Sequence, residues 1–295
     1  MRGNTGFDLE WIREEIEGFV ACSPNNSLGG GFDEPAWGKP IVGAVSARDS
    51  LFVEFKKAVD PRHFLPEEIF NLHFPERPAC AEDVAVLSWV LPQTARTRED
   101  NRAQGQVPAE RWLRSKLYGE SFNDLLRKHV VDWLGKSGVE ALAPVLSPHY
   151  GRFNSDSFGS ASSWSERHVA YACGLGTFGL SEGLITPVGK AARIGSVVLR
   201  ASLGPIERPY SDPHEYCLFF RDGSCGACVS RCPSGSLRRD GRDKTLCEKY
   251  IHEVVEPIAR DRWGLPSAYA CGLCQVGVPC EKGIPGQASG ESQDD

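Results

Sequence analysis

The stretch YCLFFRDGSCGACVSRCPSGSL, residues 216–237, contains four cysteines within sixteen positions. Three of them form the pattern C-x2-C-x3-C-P at Cys225, Cys228, Cys232 and Pro233. This is the latter part of the C-x2-C-x2-C-x3-C-P run that binds [4Fe–4S] clusters. Thiolates at this spacing can bind one face of a cluster, and the x3 step before proline turns the last cysteine toward a second cluster. The stretch therefore predicts part of a two-cluster fold.

The other cysteines of the C-terminal part complete a set of eight. Position 222, where the run would have its first cysteine, is Asp222, and Cys217 is the expected substitute. Downstream lie Cys247, Cys271, Cys274 and Cys280. Because the last cysteine of the run serves the other cluster in two-cluster proteins, we expect the ligand sets to cross. The predicted sets are Cys217, Cys225, Cys228 and Cys280 for one cluster, and Cys232, Cys247, Cys271 and Cys274 for the other. Asp222 stays open as an alternative eighth ligand.

Two other interpretations of these cysteines are considered. The two C-x2-C pairs would suit a four-cysteine zinc site, and simple buried thiols are a further alternative. A zinc ion takes four ligands, leaves four cysteines over and does not explain the x3-Cys-Pro step. The scattered Cys22, Cys80 and Cys173 have no partners at ligand spacing, and Cys173 is expected to pack in the core.

The overall composition is that of an ordinary globular protein. The chain has 295 residues, a net charge of −6 and a hydrophobic fraction of 41%. The apolar run VAVLSWVL (84–91) is too short for a membrane span and predicts a buried strand. The N-terminus is acidic and amphipathic, unlike a signal peptide. We therefore expect a cytoplasmic protein with no membrane association.

The first two hundred residues predict alternating helices and strands. Strands are expected at 41–47, 84–91 and 194–203. The longest helical region covers 111–138, as two helices or as one with a break near Gly119. The fold class expected for this part is α/β.

The proline-rich segment 204–213 predicts a linker between two domains. We place the first domain at residues 1–205 and the cysteine-rich domain at 206–295.

A glycine-rich segment follows a predicted helix, in CGLGTFGLSEG (173–183). The surrounding residues 162–199 resemble a stretch of the epoxyqueuosine reductases. The tail resembles their double-cluster module, with Cys247 alone between two motifs and the CGLCQ element at 271–275. The resemblance covers roughly residues 80–283.

Epoxyqueuosine reductases, which are related to reductive dehalogenases, bind cobalamin on a nitroreductase-like α/β domain. Their clusters feed electrons to the cobalt, which reduces an epoxide on a tRNA base. The resemblance implies an α/β (α+β) fold class, with a nitroreductase-like domain that binds substrate or corrinoid. A ferredoxin-like module with two [4Fe–4S] clusters follows it. The implied cobalamin face consists of Gly174, Gly176, Thr177, Phe178, Gly179 and Ser181.

Several positions depart from the family pattern. The family has a proton-donating Asp fourteen residues before the first glycine of GLG, where this chain has Ser160. The family's Gly-Lys-Asn sequence is Gly-Leu-Ser at 179–181. Five residues, rather than the family's three, separate Cys274 from Cys280. The net charge is acidic, and no helical repeat follows the tail. tRNA is therefore not expected as a partner.

Reductive chemistry consumes protons, so a donor near the glycine segment is needed. The candidates are His149, Tyr150, Asp156, Glu166 and His168. Ser163, three residues before Glu166, predicts a capping box that would occupy the Glu166 carboxylate. We expect Asp156, in the polar loop 148–156, to be the catalytic donor.

Together these features favour an iron–sulfur oxidoreductase that reduces a small molecule or a modified nucleoside with the help of cobalamin. Its expected partner is an external low-potential electron donor of the ferredoxin or flavodoxin type, or a larger redox complex. The alternative is an electron-transfer subunit or activator that docks on a larger redox enzyme and has no substrate of its own.

Overall fold

The computed structural model describes residues 8–156, 159–266 and 269–287. The strands are β1 (Ile41–Ser46), β2 (Val84–Pro92), β3 (Ala141–Leu142), β4 (Arg152–Ser155), β5 (Gly159–Ser162), β6 (Thr177–Phe178), β7 (Leu184–Ile185), β8 (Ala192–Arg200), β9 (Leu237–Arg238) and β10 (Gly241–Arg242). The helices are α1 (Leu9–Cys22), α2 (Ser50–Val59), α3 (Pro66–His73), α4 (Ala95–Arg102), α5 (Glu110–Lys136), α6 (Glu166–Ala172), α7 (Leu218–Asp222), α8 (Ala227–Ser230), α9 (Lys244–Tyr250) and α10 (Glu256–Trp263).

The central sheet is antiparallel and has the order β1-β2-β8-β3. All nine residues of β2 are buried, and their side chains alternate between two cores. Val84 and Val86 pack with α2, α3 and α6, whereas Leu87 and Trp89 pack with α1 and α5. Because helices cover both faces, the sheet is the middle layer of three. The mixed α/β class predicted from the sequence is confirmed.

The long helix α5 is continuous, and the prediction of two helices, or of one with a break near Gly119, is wrong. Gly119 instead makes room for Trp37, whose ring would lie 2.7 Å from a Cβ at that position. The Trp37 indole Nε1 also donates a hydrogen bond to the Gly119 carbonyl, at 2.9 Å. The glycine therefore serves close packing between the helix and the loop before β1.

The predicted capping box at the start of α6 is also wrong. The helix begins after Ser165, and the Ser163 Oγ accepts a hydrogen bond from the Gly151 amide. The Glu166 carboxylate contacts Arg127 Nη2 at 3.0 Å and accepts a hydrogen bond from Ser196 Oγ at 2.5 Å. A buried ion pair has replaced the local cap, because α6 packs directly on β8.

The cysteine-rich tail packs against the α/β part rather than standing apart from it. Cys217, Cys228 and Leu237 belong to the same apolar core as Val86 of the sheet. Arg231, next to the last cysteine of the opening stretch, donates through Nη2 to the Asn101 carbonyl at 3.3 Å. The two parts therefore share one apolar core, and the domain boundary at 205/206 stays a prediction.

The predicted linker 204–213 also has fixed contacts. Arg208 donates to the Ala172 carbonyl at 2.9 Å and forms an ion pair with Asp49. The Tyr210 hydroxyl donates to the Tyr171 carbonyl. The segment is thus held against the end of α6. In the described part of the chain, no helix has the length and apolar character needed to cross a membrane.

Candidate functional site

Four cysteines form a first thiol group, which consists of Cys217, Cys225, Cys228 and Cys280. All four line one small, mostly apolar cavity of about 20 Å³, together with Gly179, Leu180 and Lys190. Burial raises the pKa of the Cys228 thiol to about 11. A neutral thiol is therefore the resting form unless a bound cation draws off the proton.

Local turns bring these cysteines together. Cys217 lies at the N-terminus of α7, which ends at Gly223 in the left-handed region, with φ of 73°. This turn directs the chain back toward Cys225 and α8. Asp222 is exposed, where its carboxylate accepts a hydrogen bond from the Ser224 amide and contacts Arg221. Cys217, and not Asp222, is therefore the residue that faces the cavity.

The remaining four cysteines form a second thiol group, which consists of Cys232, Cys247, Cys271 and Cys274. Burial raises the pKa of Cys271 to about 12, and the neighbouring sulfurs of Cys274, Cys247 and Cys232 add to the effect. The Cys232 pKa is lowered overall: burial raises it, but hydrogen bonds from two serine hydroxyls and from the Leu237 and Ser234 backbone together outweigh the burial. Ser234 Oγ and Ser236 Oγ both lie 3.4 Å from the Cys232 Sγ. The group thus mixes buried and hydrogen-bonded sulfurs.

The two groups cross between the sequence segments. Cys280, near the end of the described chain, joins the cysteines of the opening stretch, and Cys232 of that stretch joins the downstream pair. In the described part of the chain, no three His, Cys, Asp or Glu side chains converge on a single metal-ion position. A four-iron cluster binds one thiolate per iron, so its ligands surround a volume rather than a point. The four thiols of the first group, which surround one cavity, fit that donor set.

Sequence reasoning missed Lys190, a buried lysine beside the thiol groups. Its side chain is 5% exposed, and its Nζ donates to Ser181 Oγ at 2.8 Å. Burial lowers the Lys190 pKa, but the nearby sulfurs, beginning with Cys280 and Cys274, outweigh this and raise it overall. A lysine just before a buried strand was the available sequence signal. Ser181, which the resemblance implies as part of a cobalamin face, is the residue that accepts the hydrogen bond from this lysine.

A second, much larger cavity of about 670 Å³ lies beside the cysteine-rich tail. Its walls come from the β4–β5 hairpin, from α6, from the glycine segment and from the tail. The wall includes the sulfur-bearing Cys247 of the second thiol group. Arg242, also in the wall, donates through Nη2 to the Cys247 Sγ at 3.0 Å. The second thiol group therefore borders this cavity directly.

Charged and aromatic side chains share the walls of the large cavity. The cationic ones are Arg152, Arg167, Arg239, Arg242 and Lys244, and the anionic ones are Glu182, Asp240 and Glu248. Phe178, His168, Phe220, Tyr150 and Tyr269 supply aromatic surface. The His168 ring lies 5.3 Å from Phe178 and 4.7 Å from Phe55, and burial lowers its pKa to about 3. His168 is therefore neutral over the physiological range and serves as an aromatic wall.

The residues of the implied cobalamin face have different placements. Phe178 and Gly179 line the large cavity. Thr177 is buried, and its Oγ1 accepts a hydrogen bond from the Tyr216 amide at 3.0 Å. Gly174 ends α6 with φ of 79°, and a Cβ at Gly176 would lie 2.2 Å from the Ile185 carbonyl oxygen. Gly174 and Gly176 therefore form the turn after α6, and Phe178 and Gly179 are the residues of this segment that face the cavity.

The predicted proton donor, Asp156, is exposed in the turn after β4 and lies near Arg62. It is outside the lining of the large cavity, whereas Ser160, on the next strand, is part of that lining. Of the other candidates, Tyr150 and His168 also line the cavity, and His149 is exposed. Glu166 is held by Arg127 and Ser196. The hairpin therefore brings Ser160, and not Asp156, to the cavity wall.

The chain is similar to curated epoxyqueuosine reductases. One from Bacillus anthracis is 28% identical over 125 residues, and one from Listeria monocytogenes is 32% identical over 123 residues. The matches cover 41% and 40% of this chain, and the chain spans 30% of the length of each relative. No protein-family profile matches the chain. The resemblance to epoxyqueuosine reductases predicted from the sequence is confirmed by these relatives.

Similar solved structures include two of epoxyqueuosine reductases and one of a reductive dehalogenase. An epoxyqueuosine reductase labelled with selenomethionine has a TM-score of 0.47 and 17% identity, and the match covers 95% of this chain and 68% of that one. A catabolic reductive dehalogenase has a TM-score of 0.48 and 15% identity, with 83% and 30% coverage. An epoxyqueuosine reductase solved with an epoxyqueuosine-modified tRNA stem loop has a TM-score of 0.48 and 15% identity, with 95% and 68% coverage.

The expectation that tRNA is not a partner is wrong. The relatives are epoxyqueuosine reductases, and one protein of that name was solved with a modified tRNA stem loop. The expectation relied on the net charge of the whole chain, which is −6. Charge averaged over a chain does not report a local surface, and five cationic residues against three anionic ones line the large cavity.

Proposed function

We propose that this protein is an iron–sulfur oxidoreductase in which two [4Fe–4S] clusters deliver electrons to the large cavity. The two thiol groups would bind the clusters, one each, in the crossed arrangement predicted from the sequence. Residues 206–295 would form the double-cluster module and residues 1–205 the nitroreductase-like α/β domain.

The observation that carries this proposal is the position of Cys247. The residue belongs to the second thiol group and also forms part of the wall of the large cavity. A cluster bound there would have one of its sulfur ligands at the edge of the space in which a substrate or cofactor binds. That arrangement supports electron delivery into the cavity.

The cavity walls are compatible with a corrinoid. Phe178 and Gly179 would contact the flat ring, and the cationic residues would suit the phosphate of the cobalamin nucleotide tail. Bound cobalamin would supply the two-electron chemistry at cobalt that single-electron clusters do not provide. The protein would set its position and limit access of water.

The proposed substrate is a small molecule or a modified nucleoside, including a nucleoside carried on RNA. Arg152, Arg239 and Lys244 lie in the cavity wall and would contact phosphate groups of such a substrate. Asp156 remains the proposed proton donor. Because Ser160 and not Asp156 lines the cavity, the β4–β5 hairpin would have to shift for the Asp156 carboxylate to reach a substrate there.

The experiment is an anaerobic assay of the purified chain with cobalamin, a chemical reductant and an epoxyqueuosine-bearing tRNA stem loop. We expect cobalamin to bind with a change in its visible spectrum, and the epoxide to be reduced in proportion to the chain present. Lys136→Met, an exposed substitution on α5, is the matched control and should behave as wild type.

Cys247→Ser should abolish turnover while one cluster signal persists. Full turnover by Cys247→Ser would contradict electron delivery through the second thiol group. Clusters without cobalamin binding or turnover, together with tight co-purification of a redox enzyme, would favour the electron-transfer subunit instead.

A further inference from the structure

Lys190 is a buried cation in the wall of the small cavity, beside the first thiol group, and neither the sequence pattern nor the proposed electron route explains it. Its side chain is 5% exposed, in a region where the other buried side chains are mostly apolar. A buried ammonium group is costly unless a compensating charge lies near it.

The contacts of Lys190 include no carboxylate within the described residues. Its Nζ donates to the neutral Ser181 Oγ at 2.8 Å. The nearest carboxylate in sequence, Glu182, lies 3.8 Å from Arg242. Glu281, whose carbonyl accepts a hydrogen bond from the adjacent Ala191 amide, pairs its carboxylate with Arg98 and Arg102. The neighbours that would supply a compensating negative charge, once they are deprotonated as ligands, are therefore sulfurs: Cys217, Cys228 and Cys280 of the first thiol group, and Cys274 of the second.

The backbone holds Lys190 in this position. Its amide donates to the Cys280 carbonyl at 2.9 Å, so the lysine is fixed to a residue of the first thiol group. Gly189, with φ of 86°, packs so closely on the Glu281 carbonyl that a Cβ there would lie 2.1 Å from the oxygen. The turn before β8 therefore sets the distance between the ammonium group and the sulfurs.

We propose that Lys190 is a shared counter-cation that raises the reduction potentials of both clusters, and that of the first more than that of the second. The inference rests on the proposed clusters. Four thiolates give a cluster a net negative charge, and reduction adds one more electron, so a nearby cation favours the reduced state. Three of the four facing sulfurs belong to the first thiol group, which is why the first cluster is expected to respond more.

The test is a redox titration of anaerobically purified protein, followed by electron paramagnetic resonance. Lys190→Met keeps the length and apolar stem of the side chain and removes the charge. We expect a more negative midpoint potential for both clusters, with the larger shift in the first. Lys136→Met removes the same charge from an exposed position of α5 and should leave both potentials unchanged.

Lys190→Arg keeps the charge and should shift the potentials less than Lys190→Met does. Clusters present in Lys190→Met with wild-type potentials would overturn the inference and leave the proposed function intact. Wild-type protein without iron would overturn the proposed function itself. If clusters fail to assemble in Lys190→Met but assemble in Lys190→Arg, the result supports a need for the positive charge. If clusters fail to assemble in both variants, the inference is overturned.

Discussion

The two thiol groups differ in what separates them from the large cavity. The second contributes Cys247 directly to the cavity wall, whereas the first lies behind Gly179 and Leu180, which line both cavities. The first receives its cation, Lys190, from the α/β part, and the second receives Arg242 from the tail itself. Under the proposed function, the second group would exchange electrons with the cavity and the first would supply electrons to the second.

The strongest test of the comparison exchanges single ligands. Cys225→Ser and Cys280→Ser should lose the same cluster signal, because both residues line the small cavity. Cys232→Ser, although it is close to Cys225 in sequence, should lose the other signal. Each variant should retain about half of the wild-type iron. The measurements are iron content and electron paramagnetic resonance of the reduced proteins. Loss of one shared signal by Cys225→Ser and Cys232→Ser would break the crossed assignment.

Two glycines test how each group is held against the α/β part. A Cβ at Gly272 would lie 2.2 Å from the Trp112 ring, and one at Gly189 would lie 2.1 Å from the Glu281 carbonyl oxygen. We expect Gly272→Ala and Gly189→Ala each to lower the free energy of unfolding by about 1–3 kcal/mol more than the control does, because of overpacking. The control is Gly31→Ala, which has a similar φ of 87° and no atom within 4 Å.

Chemical denaturation of the three glycine variants gives the comparison. Gly272→Ala should in addition weaken cluster assembly in the second group, and Gly189→Ala in the first. Equal free energies of unfolding for all three variants would mean that the structure around Gly272 and Gly189 relaxes to accept a methyl group without loss of stability.

Arg242 tests whether the second group can be tuned alone. Its Nη2 donates to the Cys247 Sγ at 3.0 Å, and it lies 3.8 Å from Glu182. Arg242→Met removes this hydrogen bond and a positive charge, so the potential of the second cluster should become more negative. The first cluster should keep its potential in the same titration. An equal shift in both clusters would indicate that they do not respond to separate cations.

The smallest effect is expected at Asp222. Its carboxylate contacts Arg221 and the Ser224 amide at the surface, away from the small cavity. Asp222→Asn should keep both cluster signals, whereas Cys217→Ser should lose that of the first group. Loss of a cluster in Asp222→Asn would identify the aspartate as the eighth ligand and remove Cys217 from the set.

The spacing of cysteines and of apolar residues predicted much of this molecule. A continuous apolar run located the central strand β2, which is buried on both faces. The cysteine spacing predicted two sets of four, because ligand spacing constrains which sulfurs can meet. Local patterns failed where tertiary contacts compete with them. The Glu166 carboxylate pairs with Arg127 instead of capping α6. Gly119 makes room for the Trp37 ring while α5 stays continuous.

The cavities could not be predicted from the sequence. Their walls combine residues from distant segments, such as Ser160 and Cys247, which no local pattern brings together. The implied cobalamin face was read from consecutive residues, yet a turn sends neighbouring side chains in different directions. Phe178 therefore lines the large cavity while Thr177 is buried beneath it. Lys190 was missed because a single lysine carries no spacing signal.

The most direct measurement is the metal and sulfide content of the anaerobically purified chain, grown with cobalamin available. We expect about eight irons and about eight acid-labile sulfides per chain, which is the content of two [4Fe–4S] clusters. Zinc in place of iron would contradict this prediction. So would about four irons per chain that are lost completely both in a Cys280 variant and in a Cys247 variant, because a single cluster would then use both residues.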